Sequence, residues 1–121
     1  MLTASDPFIV AAVQAAPVFL DRAATIDKAC ELIAEAAGNG ARLVVFPESY
    51  IPAYPDWVWA VPAGQQDILN ELYAELLDNA VEIPGAATER LCQAAQEAGV
   101  YLAVGVSERN VEASGATLYN T

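Results

Sequence analysis

A chain of 121 residues, 55% of them hydrophobic and with only seven prolines and seven glycines, has apolar surface for one small core, too little length for two ordinary domains, and no disordered character. Sixteen acidic against five basic side chains leave a net charge of −11, which opposes the phosphates of nucleic acid and the anionic face of a membrane, so neither is an expected partner. There is no histidine, which removes the commonest metal ligand and the Ser/His/Asp triad and leaves acid–base work to carboxylates, lysine or tyrosine.

In chain order, Phe8 to Ala15 is an apolar, partly β-branched run closed by Pro17, the pattern of a strand buried on both faces. No basic residue precedes it, and Asp6 and Pro7 interrupt its approach, so the N-terminus does not read as a signal peptide. From Asp21 the period changes. Ile26, Ala29, Cys30, Ile33 and Ala37 recur at helical spacing, with Asp21 as the expected N-cap and Gly38 or Gly40 as the expected stop.

Leu43 to Phe46 forms a second apolar run, so strand, helix and strand follow one another as in a parallel crossover unit, and Pro47 ends the strand. Between Ser49 and Gly64, Pro52, Pro55 and Pro62 preclude one regular helix among Tyr50, Tyr54, Trp57 and Trp59. Helical spacing returns from Gln66 to about Asn79 and again from about Ala87, where Leu91, Ala94, Ala95 and Ala98 form the buried stripe and Gly99 the C-cap. Val100 to Val106 is the expected third strand, and Ala116 to Thr121 begins a fourth after a turn at Asn110 to Gly115. The fold class is therefore α/β, and the apolar strand at the close predicts an incomplete domain.

The longest apolar runs are far shorter than the roughly 18 residues of a membrane-spanning helix. Cys30 and Cys92 stand far apart, form no metal-type or redox-type pair, and sit at helical spacing among apolar neighbours, so both are expected in the core of a cytoplasmic protein.

Glu48 lies two residues past the second strand, where open α/β sheets bind their ligands. Between Phe46, Pro47 and the aromatic loop its carboxylate is expected to be partly desolvated and so a better proton acceptor near neutral pH. From position alone, a solvated or capping glutamate competes with that reading.

The segment Gly40 to Pro55, GARLVVFPESYIPAYP, resembles the first active-site signature of the nitrilase branch of the carbon-nitrogen hydrolases. Gly40, Leu43, Val44, Phe46, Glu48, Ile51, Tyr54 and Pro55 match its positions, while Ala53 stands where the family usually has glycine, at a cost on the order of 1 kcal/mol if a positive φ is needed. AVQAAPVFLD, GVSERN and LYNT extend the likeness over nearly the whole chain. The resemblance implies the N-terminal part of a four-layer α-β-β-α sandwich, assembled into homo-oligomers. It also implies a Glu/Lys/Cys triad that converts a small-molecule nitrile to carboxylic acid and ammonia without metal or organic cofactor.

By that resemblance Glu48 is the base that takes the proton of the cysteine thiol. The family's lysine follows the LYNT strand and its cysteine lies further on, so Lys28, Cys30 and Cys92 match neither and the chain alone is expected to be inactive. Tyr54, Trp57 and Trp59 are candidates for an apolar substrate wall, or else pack the loop on the sheet or at an interface. Glu108 follows the third strand much as Glu48 follows the second and is a candidate for the same crevice, with a surface pair to Arg109 as the alternative. Two rival functions stand: an amidase or another hydrolase of the same superfamily, and a non-catalytic fragment or interaction module. A phosphate-binding domain is disfavoured because no glycine-rich loop follows the first strand.

Overall fold

The computed structural model describes residues 6–121; residues 1–5, on which the reading of the N-terminus partly rests, lie outside them. Strand β1 (Ile9–Ala12) leads to helix α1 (Arg22–Gly38), strand β2 (Ala41–Val45), helices α2 (Trp57–Ala60), α3 (Gln66–Asp78) and α4 (Ala86–Ala98), and strands β3 (Tyr101–Ala103), β4 (Ser107–Arg109) and β5 (Leu118–Asn120). β1, β2 and β3 form a parallel sheet with β2 in the centre.

The helix signals operate locally. Asp21 caps α1 by accepting from the Ala24 amide at 2.9 Å, satisfying a donor that the first turn leaves free. α1 runs through Gly38 and is capped by Asn39, with Gly40 at φ 90° turning the chain into β2. α4 ends on Gly99 in the left-handed conformation, the expected stop.

Ile26, Ala29 and Ile33 of α1 and Leu91 and Ala94 of α4 pack with Val44 of β2, Phe46, Tyr50, Ile51, Val81 and Val106 into one core on one face of the sheet. Ile33, Val44, Ile51 and Val81 are wholly excluded from water. At about 1.5–3 kcal/mol per fully buried aliphatic side chain, this is the largest stabilising element of the fold.

The opposite face of the sheet is bare. Phe8 is 53% exposed, Val10 49% and Tyr101 77%, so the expectation of strands buried on both faces fails among the described residues. Both packed helices lie on one side, and parallel strands as apolar as these are ordinarily covered on two.

Two strand expectations also change. The first strand is shorter than Phe8 to Ala15, although its ladder continues through the Val13 amide to the Val45 carbonyl at 2.8 Å. The run Val100 to Val106 is not one strand: β3 stops at Ala103, Gly105 passes close to the turn after β2, and the chain resumes as β4, antiparallel to β5. β4 is held on its other side by Ile51, whose carbonyl accepts from Ser107 at 2.9 Å, and by Val81, whose carbonyl accepts from Arg109 at 2.8 Å.

The C-terminal end of α3 carries no base of its own in the last turn. Arg22 donates to the carbonyls of Asp78 at 3.2 Å and Ala80 at 2.7 Å, and Arg109 donates to that of Leu77. Two guanidinium groups from other elements thus satisfy carbonyls that a helix end leaves unpaired and oppose its negative dipole end. Leu76 is the one buried residue of this helix, in a second cluster with Leu20, Ala53 and Trp57.

Candidate active site

Glu48 stands at the carboxyl end of the central strand. Beyond Val45 the Phe46 amide still bonds the Ala103 carbonyl at 2.8 Å, and the chain then turns at Glu48 and Ser49, with Ser49 left-handed at φ 47°. A non-glycine residue in that region is held there by its surroundings. Here these are Phe46 and Tyr50, buried with ring centroids 5.0 Å apart, and Ile51, whose amide bonds the Gly105 carbonyl at 3.3 Å.

Gly105 seals the turn from the β3 side. A Cβ built on it would lie 2.6 Å from the Pro47 carbonyl oxygen and the Ser49 amide nitrogen, and 2.7 Å from the Glu48 Cα. Only a residue without a side chain lets the strand cross there. From the other side, Asn120 of β5 donates its side-chain amide to Glu48 Oε1 at 2.6 Å.

The Glu48 side chain itself is exposed, which corrects the expectation of a half-buried carboxylate. Phe46 and Tyr50 turn inward to the core, and no element among the described residues covers the outer side of the turn. Lys28 is engaged elsewhere, its Nζ donating to the Ala16 carbonyl at 2.6 Å. The Tyr50 hydroxyl donates to the same carbonyl at 3.3 Å, and burial raises its pKa.

The aromatic candidates separate. Trp57, at the start of α2, is 8% exposed, packs edge-on against Phe19 with centroids 5.6 Å apart, and docks the loop on the cluster of Leu20, Ala53 and Leu76. Tyr54 is 42% exposed and stacks on the 74% exposed Trp59, centroids 6.0 Å apart. Ala53 is buried and is not among the left-handed residues, so the strain expected from its replacing glycine is not incurred.

Glu108 and Glu48 are not brought into one hydrogen-bonded group. Thr121 donates to Glu108 Oε2 at 2.7 Å while its neighbour Asn120 serves Glu48, and successive side chains of an extended strand leave opposite faces. Glu108 lines a cavity of about 440 Å³ with Glu82, Pro84 and Tyr119, and Glu48 is not part of that lining. The surface pair with Arg109 is also absent, because Arg109 turns to Leu77 and to Asp78, 3.8 Å away.

Of the cysteines, Cys30 is half-buried against the core, and burial pushes its thiol pKa up, partly opposed by the nearby Arg90 guanidinium. Cys92 is exposed, contrary to the core expectation: it follows Leu91 by one residue, and one step on a helix turns a side chain about 100° away from the buried stripe. Asn120 and Gly105 were not singled out from the sequence. Asn120 lies 72 residues from Glu48, and only its place in the LYNT segment marked it.

Comparison with known proteins gives this geometry a context. The chain is 47% identical over 112 residues to a nitrilase of Bacillus sp. strain OxB-1, matching 93% of this chain and 31% of the relative. It is 42% identical over 118 residues to an arylacetonitrilase of Aspergillus niger, matching 98% of this chain and 32% of that protein. With an aliphatic nitrilase of Sinorhizobium fredii the identity is 45% over 121 residues, 94% of this chain and 36% of the relative. The chain thus spans about a third of the length of these curated relatives. No helix among the described residues is long and apolar enough to cross a membrane. The family model for carbon-nitrogen hydrolases matches residues 9–121, from β1 through the end of the β4–β5 hairpin and across the Glu48 turn, and the chain belongs to that family.

Proposed function

We propose that this chain is the N-terminal part of a single carbon-nitrogen hydrolase domain that acts as a nitrilase, with Glu48 as its general base. The observation that carries the reading is the placement of Glu48 past the central strand on a turn fixed by Gly105 and Asn120, in a chain 42–47% identical to nitrilases over most of its length. In this reading a lysine and a cysteine come from polypeptide outside the chain. The cysteine sulfur attacks the nitrile carbon, and its proton passes through the Glu48 carboxylate to the substrate nitrogen. One water adds and ammonia leaves, giving a thioester; a second water, deprotonated by Glu48, releases the carboxylic acid and restores the thiol. The lysine ammonium stabilises the charge that develops on nitrogen.

The bare sheet face supports the finer fold reading. A second sheet laid on Phe8, Val10, Leu43, Val45 and Tyr101 would complete a four-layer α-β-β-α sandwich and would also exclude water from Glu48. A homo-oligomer in the cytoplasm, working on a small organic nitrile without metal or organic cofactor, completes the proposal. The exposed Tyr54 and Trp59 pair supplies an apolar wall beside the base in this scheme, whereas Trp57 does not.

The test is ammonia release by the full-length protein from a nitrile and from the matching amide. Glu48→Gln is expected to lower turnover by about 10²- to 10⁴-fold, the usual worth of a positioned base. Turnover of the amide alone would move the assignment to an amidase. Undiminished turnover by Glu48→Gln would remove Glu48 from the chemistry, and turnover by the 121-residue chain by itself would refute the division of the triad.

A further inference from the structure

A carboxylate that works as a base must offer one oxygen in one direction, and an exposed glutamate has three torsions with which to avoid doing so. Two observations show how this fold restrains it. The backbone of Glu48 is seated on Gly105, and its Oε1 accepts from the Asn120 side-chain amide at 2.6 Å, a close contact between an amide donor and a carboxylate. The donor is anchored to the same segment that seats the turn. Gly105 touches Glu48, Val106 exchanges backbone hydrogen bonds with Thr121 at 2.7 and 3.1 Å, and Ser107 pairs with Asn120. Both ends of the contact are therefore fixed to three consecutive residues.

We propose that Asn120 is a positioning residue for Glu48: it occupies Oε1 and leaves Oε2 as the oxygen that receives the proton. This rests on the reading of Glu48 as general base and deepens it. Asn120 touches no reacting atom, and its amide can donate to a carboxylate at every pH at which the carboxylate can act as a base. Aspartate in its place keeps the size of the side chain but turns the donor into a second negative charge, so that the two carboxylates share a proton. Thr121 meanwhile engages Glu108 on the opposite face, which keeps the Asn120 amide for Glu48 alone.

The experiment compares Asn120→Ala, Asn120→Asp and Glu48→Gln in the full-length protein, with kcat and KM measured against pH and folding followed by circular dichroism. Asn120→Ala is expected to lower kcat about ten- to a hundredfold, the loss of a hydrogen bond to a charged group, with KM changed less than about threefold. Asn120→Asp is expected to move the acidic limb of the rate profile to higher pH. If both variants merely lose stability and kcat falls without movement of the limb, Asn120 is structural and the proposal is overturned. If Glu48→Gln is inactive while both Asn120 variants keep the unaltered kcat and acidic limb, positioning is overturned and the base assignment stands. If Glu48→Gln retains full turnover, the base assignment itself falls. Should the Asn120 variants not fold, the unaltered protein decides: the Asn120 side-chain amide proton resonances must shift with pH in step with the Glu48 carboxyl carbon, and independent titration overturns the proposal.

Discussion

Replacing Gly105 with alanine puts one methyl group where no methyl group fits. Its Cβ would lie 2.6 Å from two backbone atoms and 2.7 Å from a third, about 0.8 Å inside the 3.4 Å at which ordinary contact begins. All three atoms belong to Pro47, Glu48 and Ser49, so no rotamer change can relieve the overlap, and the turn itself must move away from β3. Overpacking of this kind costs about 1–3 kcal/mol, and the rigid partners place Gly105→Ala at the upper end, near 3 kcal/mol. For a chain of this size that is a fall in Tm of about 10 °C. The assay is urea or thermal unfolding followed by tryptophan fluorescence, with Gly38→Ala as the comparison. Nothing lies within 4 Å of a Cβ at Gly38, the last residue of α1, and alanine is the better helix former, so that variant is expected to be unchanged or up to about 0.5 kcal/mol more stable. If Gly105→Ala unfolds within 2 °C of the unaltered protein, or both variants behave alike, the close crossing at Glu48 is not what fixes the turn.

Two further expectations concern the aromatic loop and the thiols. Trp57→Ala should cost about 3–5 kcal/mol as a core truncation, whereas Trp59→Ala should cost less than about 1 kcal/mol; equal losses in denaturant titration would contradict their different burial. An alkylating reagent should modify Cys92 before Cys30, as read by mass spectrometry of peptides. Because burial raises the Cys30 pKa, the folded state holds that proton to higher pH than the unfolded chain does. The stability from this thiol is complete below the ordinary thiol range and declines as pH rises through the raised value, and Cys30→Ala should flatten the decline.

The parts of the fold written in local chemistry could be read from the chain. Asp21 and Gly99 mark helix ends because a cap needs only its own neighbours, and the period of Ile26, Ala29 and Ile33 names the buried face of α1 directly. The Glu48 turn was legible as a site because an apolar strand closed by Pro47 fixes where the sheet ends. What remained hidden depends on residues distant in sequence. Val100 to Val106 is apolar throughout, and its break comes only from the approach of Gly105 to Pro47 and Glu48. Trp57 and Trp59 differ by two positions and not in type, so no composition rule assigns one to the core and the other to solvent. The exposure of Glu48 departs from the expected shelter between Phe46, Pro47 and the aromatic loop because Phe46 and Tyr50 face the core and leave the outer side of the turn open.

The two arginines at the end of α3 make that helix unequal along its length. Arg22 and Arg109 grip the carbonyls of Leu77, Asp78 and Ala80, and Leu76 adds its buried contact one residue earlier. Towards Gln66 the helix offers Ile68, 44% exposed, and Tyr73, 43% exposed, with no side chain fully buried. Leu69 and Leu72 hold this part of the helix only by partly buried contacts, so fraying is expected to cost less at the first turns than at the last. The amides of those first turns are expected to exchange with solvent before the amides around Leu76, which lie against the second core cluster.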